Sequence, residues 1–197
     1  MELEVLDAPK TNKTRKLSRV GKTLIYTTGG LAVGVSIVCI PFVSPALRRV
    51  CLPYVPATTE QLAGVSKALA GRSGKLLDVG SGDGRIVFTA AKLGFKADGV
   101  ELNAWLVYYS RIVALLNSQY RGTRFYRRNL WKFDLKPYNN IVIFGVEQMM
   151  SEFESKLLQE TDNGTVVVAC RFPLPNMVPV EIIGHGVDTV WKYVVTR

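Results

Sequence analysis

The stretch LLDVGSGDGR, residues 76–85, sets an acid, Asp78, just ahead of three alternating glycines, Gly80, Gly82 and Gly84, with Ser81 among them. Glycine removes the Cβ that keeps backbone away from a ligand, so such a turn after a strand is built for close approach. A dinucleotide turn reads G-x-G-x-x-G, and here Arg85 stands where its last glycine would fall. No Gly-Lys-Ser/Thr follows, so the turn is not a phosphate loop either. Asp78, at a strand end, can accept a hydrogen bond from a donor such as an amine. Glu101 comes about twenty residues later, at the end of the next apolar run, where an acid can accept both hydroxyls of a ribose. An acid at that spacing fits a nucleoside sugar.

Other chemistry has little to stand on. The single histidine, His185, lies between Gly184 and Gly186 in what reads as a turn, so a Ser-His-Asp or His-based metal site would rest on it alone. Cys39, Cys51 and Cys170 are odd in number and form no C-x-x-C, which argues for a reducing compartment and against a disulfide framework. No cluster has metal-ligand spacing, and no metal is expected.

The elements that must position Asp78 and Glu101 follow from periodicity. A helix is expected over 58–70, capped by Thr58 or Thr59, then strand 75–79, helix 85–93 and strand 96–101. Asn103 starts a helix running to about Tyr120. Strands at 124–128, 140–146 and 165–172 follow, with a helix over SEFESKLLQE (151–160) and a closing antiparallel pair in PVEII and TVWKYVV. Strands alternating with helices specify an α/β domain with a mainly parallel, Rossmann-like sheet. In such sheets ligands bind beyond the carboxyl ends of the strands, which is where the glycine turn falls.

Ahead of this domain the composition changes. Residues 1–52 hold eight Lys/Arg against three Asp/Glu, and residues 53–197 hold seventeen against thirteen, so about half of the net charge of +9 belongs to the extension. The globular part is too mildly basic to read as a nucleic-acid footprint. Residues 10–22 carry six basic residues and no acid, and Thr23–Leu47 carries no charge at all. An uncharged run with a core of about 20 residues matches a hydrocarbon layer. The expected organisation is a basic targeting flank at 1–22, a transmembrane or membrane-anchor segment at 23–47 and a catalytic domain at 48–197.

The constellation of DVGSGDG with GVELN resembles the seven-β-strand methyltransferases that use S-adenosylmethionine. The resemblance implies that Asp78, Gly80, Ser81, Gly82 and Gly84 hold the amino-acid end of the cofactor and that Glu101 holds its ribose. It also implies that Asn129 and Leu130, in RRNLWKF, lie by the adenine. Across nearly the whole chain, PFVSPALRRVCLPYVPATTEQL, ELNAWLVYYSR, VIFGVEQMM, ACRFPLP and GVDTVWKY are similar to the mitochondrial protein-lysine methyltransferases. That resemblance implies a membrane-targeting segment before a seven-strand domain that faces the mitochondrial matrix at the inner membrane. It implies trimethylation of a lysine on a small inner-membrane protein, the ATP synthase c subunit, or on the adenine nucleotide translocase.

Amine methyltransferases often carry Asp/Asn-Pro-Pro-aromatic after the fourth strand, whereas this chain has FGVEQMM. Glu147 and Gln148 stand in the place that orients an acceptor amine, with Met149 and Met150 as packing and Tyr54, Trp105, Tyr108 and Phe144 as candidate aromatic walls. Two rival readings stay open on the residues alone. RGTRFYRRNLWK (121–132) interleaves basic and aromatic residues as an RNA-binding strip would, and a membrane-tethered scaffold would need no cofactor pocket.

Overall fold

A computed structural model describes residues 18–43 and 55–196, and it divides the chain into two compact units, Met1–Ser44 and Pro45–Arg197. In the second, seven strands form one sheet: β1 (Lys75–Val79), β2 (Lys96–Glu101), β3 (Arg124–Arg127), β4 (Asn140–Phe144), β5 (Val166–Cys170), β6 (Glu181–Ile183) and β7 (Val190–Val194). Their spatial order is β3-β2-β1-β4-β5-β7-β6. The first five pair in parallel, and β7 runs antiparallel to both β5 and β6. The order reverses between β1 and β4, so the turn after β1 opens into the crevice where ligands bind in such sheets.

Both faces of the central strands are covered, and their residues alternate between two cores. Leu76, Ala97, Val142 and Val168 face a core shared with α2 (Thr59–Ala68) and α3 (Arg85–Lys92). Leu77, Ile141, Ile143 and Val167 face the other, where Phe153 and Leu157 of α5 (Glu147–Glu160) pack with Leu135 and Tyr138. The helix α4 (Ala104–Leu116) lies against β2 and β3.

Helix α2 starts as its sequence suggests. Thr58 Oγ1 accepts from Gln61 N at 3.1 Å while Gln61 Oε1 accepts from Thr58 N at 2.9 Å, a reciprocal cap. The same two side chains reach the β6–β7 connection: Thr58 donates to Asp188 at 2.6 Å and Gln61 Nε2 to the Val187 carbonyl at 2.7 Å.

Three expectations are corrected. The hydrophobic segment does form a helix, α1 (Arg19–Val43), but among the described residues no helix is long and apolar enough to cross a membrane. Arg19, Lys22, four hydroxyl residues and three glycines occupy its first half, and the apolar run gathers only from Leu31 onward. The expected anchor helix at 23–47 is thus not found among the described residues, and its last residues, 44–47, lie outside them. Helix α4 stops at Leu116, because Asn117 turns extended (φ −119°, ψ 117°) and caps a separate 3-10 turn at Ser118–Tyr120. Helix α5 begins at Glu147, so Glu147 and Gln148 occupy a first helical turn and not a loop.

Asn140, at the start of β4, is fully buried and ties that strand to the segment 72–75 entering β1. Its Nδ2 donates to the Ser73 carbonyl at 2.9 Å and the Lys75 carbonyl at 3.3 Å, and its Oδ1 accepts from Arg72 Nε at 3.1 Å. Asn140→Ala strands these partners, and the chemical-denaturation midpoint should fall by an amount equivalent to about 1–3 kcal/mol.

Candidate active site

The glycine turn is shaped by what sits beneath it. Asp78 of β1 is paired in register with Gly99 of β2. A Cβ on Gly99 would lie 2.7 Å from both Cβ and Oγ of Ser81. The missing side chain in the middle of β2 is thus the space into which the turn folds back, the usual meaning of a glycine inside a strand. The backbone closes the fold-back: Gly80 N and Ser81 N both donate to the Val100 carbonyl, at 2.9 and 3.1 Å, and Gly84 N donates to the Ser81 carbonyl at 2.8 Å. Gly80 and Gly84 hold φ of 75° and 84°, which β-carbon residues rarely adopt. At Gly84 a Cβ would also meet the Phe125 ring at 2.9 Å.

Into this cradle Asp78 points a carboxylate that is 1% exposed and has no hydrogen-bond partner on either oxygen. The Ser81 hydroxyl beside it is likewise buried and unpartnered. Burial pushes the Asp78 carboxyl well above the usual range, and the negative charges of Glu101 and Asp83 push it the same way. An orphaned buried carboxylate normally costs more than a fold tolerates. The orphaned Asp78 carboxylate, with the Ser81 hydroxyl and Glu101 beside it, forms a receptor for a cationic group that donates hydrogen bonds. The ammonium end of S-adenosylmethionine has that chemistry, so the residues fit the cofactor.

Glu101 ends β2 and braces the turn. Its Oε2 accepts from Gly82 N at 3.1 Å and its Oε1 from Asn103 N at 2.7 Å. Each carboxylate oxygen keeps a second lone pair, available to a ligand hydroxyl. Asn129 is exposed, and its Oδ1 accepts from Trp131 N at 3.0 Å, capping the 3-10 turn that starts at half-buried Leu130. Both follow β3, whose last residue Arg127 is paired with Glu101, so they stand one strand outward from the ribose candidate.

The acceptor side lies beyond β4. Glu147 and Gln148 are exposed in the first turn of α5, just past Phe144, whose carbonyl oxygen is 3.7 Å from the point where a Cβ on Gly80 would sit. Met150 is buried, and the Met149 and Met150 sulfurs would crowd a Cβ on Gly145 at 3.1 and 3.0 Å. Trp105 and Tyr108 stand on the exposed face of α4, not in an enclosed cage. Tyr54 lies outside the described residues.

Some neighbours of the site were not singled out from sequence. Arg85 grips Asp83 through Nε at 3.0 Å and Nη2 at 2.7 Å, and its Nη1 donates to the Ala57 carbonyl at 2.5 Å, tying the segment before α2 to the glycine turn. Arg171, directly after β5, holds φ 74° without being glycine. Cys170 is buried, and burial together with the Asp78 charge pushes its thiol upward. Gly99 had a signal, a glycine inside an apolar strand, but Arg171 had none. Among the described residues no group of His, Cys, Asp and Glu is placed to hold a metal ion.

Sheet order, glycine turn and orphaned carboxylate together define an S-adenosylmethionine-dependent methyltransferase. A solved RNA methyltransferase from Salinibacter ruber, in complex with S-adenosyl-L-homocysteine, shares the fold at a TM-score of 0.63 and 24% identity, over 71% of this chain and 93% of that one. Residues 78–181 match the ANTKMT methyltransferase domain, and residues 15–48 match the N-terminal domain of the ATP synthase c-subunit lysine N-methyltransferases. The Xenopus laevis ATP synthase c-subunit lysine N-methyltransferase is 50% identical over 192 residues, covering 98% of this chain and 84% of that protein. The mouse adenine nucleotide translocase lysine N-methyltransferase is 38% identical over 175 residues, covering 86% and 76%. The chain belongs to the ATP synthase c-subunit lysine N-methyltransferase family. It is a protein-lysine N-methyltransferase, and its cofactor is S-adenosylmethionine.

Two substitutions test the receptor. Because the folded pKa of Asp78 is raised, the ligand-free fold binds this proton more tightly than the unfolded chain, so the group's contribution to stability falls as pH rises above about 3.8. Asp78→Asn should therefore melt no lower than wild type near neutrality, yet bind S-adenosylhomocysteine at least about tenfold more weakly, the loss of one charge-assisted hydrogen bond. Gly99→Ala should displace Ser81, destabilise by about 1–3 kcal/mol and weaken the same affinity. Calorimetry and thermal melts read both.

Proposed function

We propose that the methyl acceptor is a lysine of the mitochondrial ATP synthase c subunit, carried to the trimethylated state, with the catalytic domain in the matrix. The observation that carries the acceptor is the 50% identity over 98% of the chain to a relative of that name. The alternative acceptor, the adenine nucleotide translocase, has the lower identity of 38% behind it. For placement, the support is the acid-free basic stretch at residues 10–22, the composition of an import signal.

The geometry suits a protein acceptor. When bound, S-adenosylmethionine supplies an electrophilic methyl group on a positively charged sulfur. Asp78 and Ser81 would hold the ammonium end, and Glu101, which keeps the turn closed through Gly82 N, would accept from the ribose. An acceptor nitrogen would have to be aligned with that methyl group. It must arrive neutral and then lose a proton for each further methyl. A free lysine is only about one part in a thousand neutral near pH 7, so alignment and partial desolvation supply the rate. Glu147 and Gln148, exposed in the first turn of α5, can orient that amine by accepting hydrogen bonds from it, with the Glu147 carboxylate as the group able to take its proton, and their exposure suits an acceptor on a macromolecule.

Glu147→Ala should lower kcat by about 10²-fold or more, a general-base-sized loss, with S-adenosylhomocysteine affinity unchanged. An unchanged kcat would move amine positioning elsewhere. For the acceptor, labelled methyl transfer into membranes lacking the endogenous activity, followed by mass identification, should mark one c-subunit lysine. Label on the translocase alone would replace the proposed acceptor. For placement, the domain should resist protease added to mitochondria stripped of their outer membrane.

A further inference from the structure

We infer that the outer face of α4, together with the arginine-lined groove beside it, is a docking surface for an anionic lipid bilayer. The helix is apolar on the wrong side for a purely structural element. Only Leu106, Val107 and Ser110 are buried against the sheet. Trp105, Tyr108, Tyr109, Ile112, Leu115 and Leu116 recur at three- and four-residue spacing on the opposite face, with Leu115 83% and Leu116 81% exposed. A surface helix ordinarily turns such a stripe inward, and a contiguous exposed patch of this kind marks an interaction site.

Charge decides the occupant. Residues 102–133 carry six basic residues, Arg111, Arg121, Arg124, Arg127, Arg128 and Lys132, and no acid. All six are exposed. Arg111 is fixed by donating to the Phe125 carbonyl through Nε at 3.0 Å and Nη2 at 2.6 Å, which ties α4 to β3. Between them opens a groove of about 540 Å³ lined by Arg111, Leu115, Arg121 and Arg124 among others. A second copy would bring the same exposed cations against these, although Arg124 has Asp98 of β2 beside it. Single-stranded RNA would meet the cations and aromatic rings but leave Ile112, Leu115 and Leu116 nothing to stack on. Aliphatic side chains that enter the acyl boundary, tryptophan and tyrosine at headgroup level, and a rim of arginines facing phosphates are what an anionic bilayer accepts. The stripe begins at Trp105, two residues past Asn103, which donates to Glu101, so docking sets the strand ends close to the lipid surface. The inference is independent of the acceptor's identity.

The test uses the full chain in flotation with phosphatidylcholine vesicles, with and without about one-third phosphatidylglycerol. Wild type should gain about tenfold or more in affinity from the anionic lipid, and the gain should shrink with salt. Leu115→Glu/Leu116→Glu and Arg121→Glu/Arg124→Glu should each abolish that gain while S-adenosylhomocysteine affinity stays at the wild-type value. Equal binding to both vesicle types, or a gain retained in both double variants, overturns the inference. So does a wild-type dimer that either double variant converts to monomer without loss of vesicle binding, or a single-stranded RNA that binds wild type more tightly than the anionic vesicles.

Discussion

A carboxylate buried at the end of a central strand with nothing to bond to is the feature around which the domain is organised. Asp78 sits between β2 and β4, its charge opposed by Glu101 and Asp83 and its oxygens unpartnered. Folding alone would select against such a group, since an apolar residue of similar size would pack there without loss. The arrangement makes sense when the missing partner is a ligand: the cost carried by the ligand-free protein is returned as affinity for a hydrogen-bonding cation. The unpartnered Asp78 carboxylate with Glu101 close by favours an ammonium group over an anionic one.

The surrounding structure keeps that receptor open and rigid. Gly99 provides the volume into which Ser81 folds, Gly84 lets the chain pass the Phe125 ring, and Glu101 fixes the turn from the side. Arg85 joins the turn to the segment entering α2, and Thr58 and Gln61 join that segment to the β6–β7 connection. The cofactor turn is thus bonded to the last strands of the sheet through short polar links, and movement at either end is felt at the other. Arg171, held at φ 74° at the end of β5, adds strain on the acceptor side, and strain of this kind gathers at functional sites.

Much of this was legible in the residues. Alternating buried strands and helix caps such as Thr58 and Asn103 set the element order, because period and capping chemistry are local. Asp78 and Glu101 were legible because the topology of a parallel sheet brings strand ends together. What escaped depends on long-range geometry. Asn103 announced the start of α4, but its end at Leu116 depends on Asn117 capping the next turn. Glu147 reads as loop beside FGV, yet packing of Met150, Phe153 and Leu157 draws the helix back to it. The uncharged run from Thr23 reads as a membrane span by charge alone, but hydroxyls and glycines dilute the first half of the helix it forms, and the described residues contain no span. No local pattern reveals which side of α4 faces the sheet, since both sides are apolar.

Asp78 gains its missing partner from the cofactor, and proton counting tests this most directly. A raised pKa in the ligand-free protein and an ammonium partner in the complex require that binding release protons as the pH approaches the ligand-free pKa from above. Titration of S-adenosylhomocysteine by calorimetry in buffers of different ionisation enthalpy, from neutrality down to the lowest pH at which the fold persists, should show proton release that grows as the pH falls. A binding heat that is independent of buffer across that whole range, or a net uptake of protons, would contradict it.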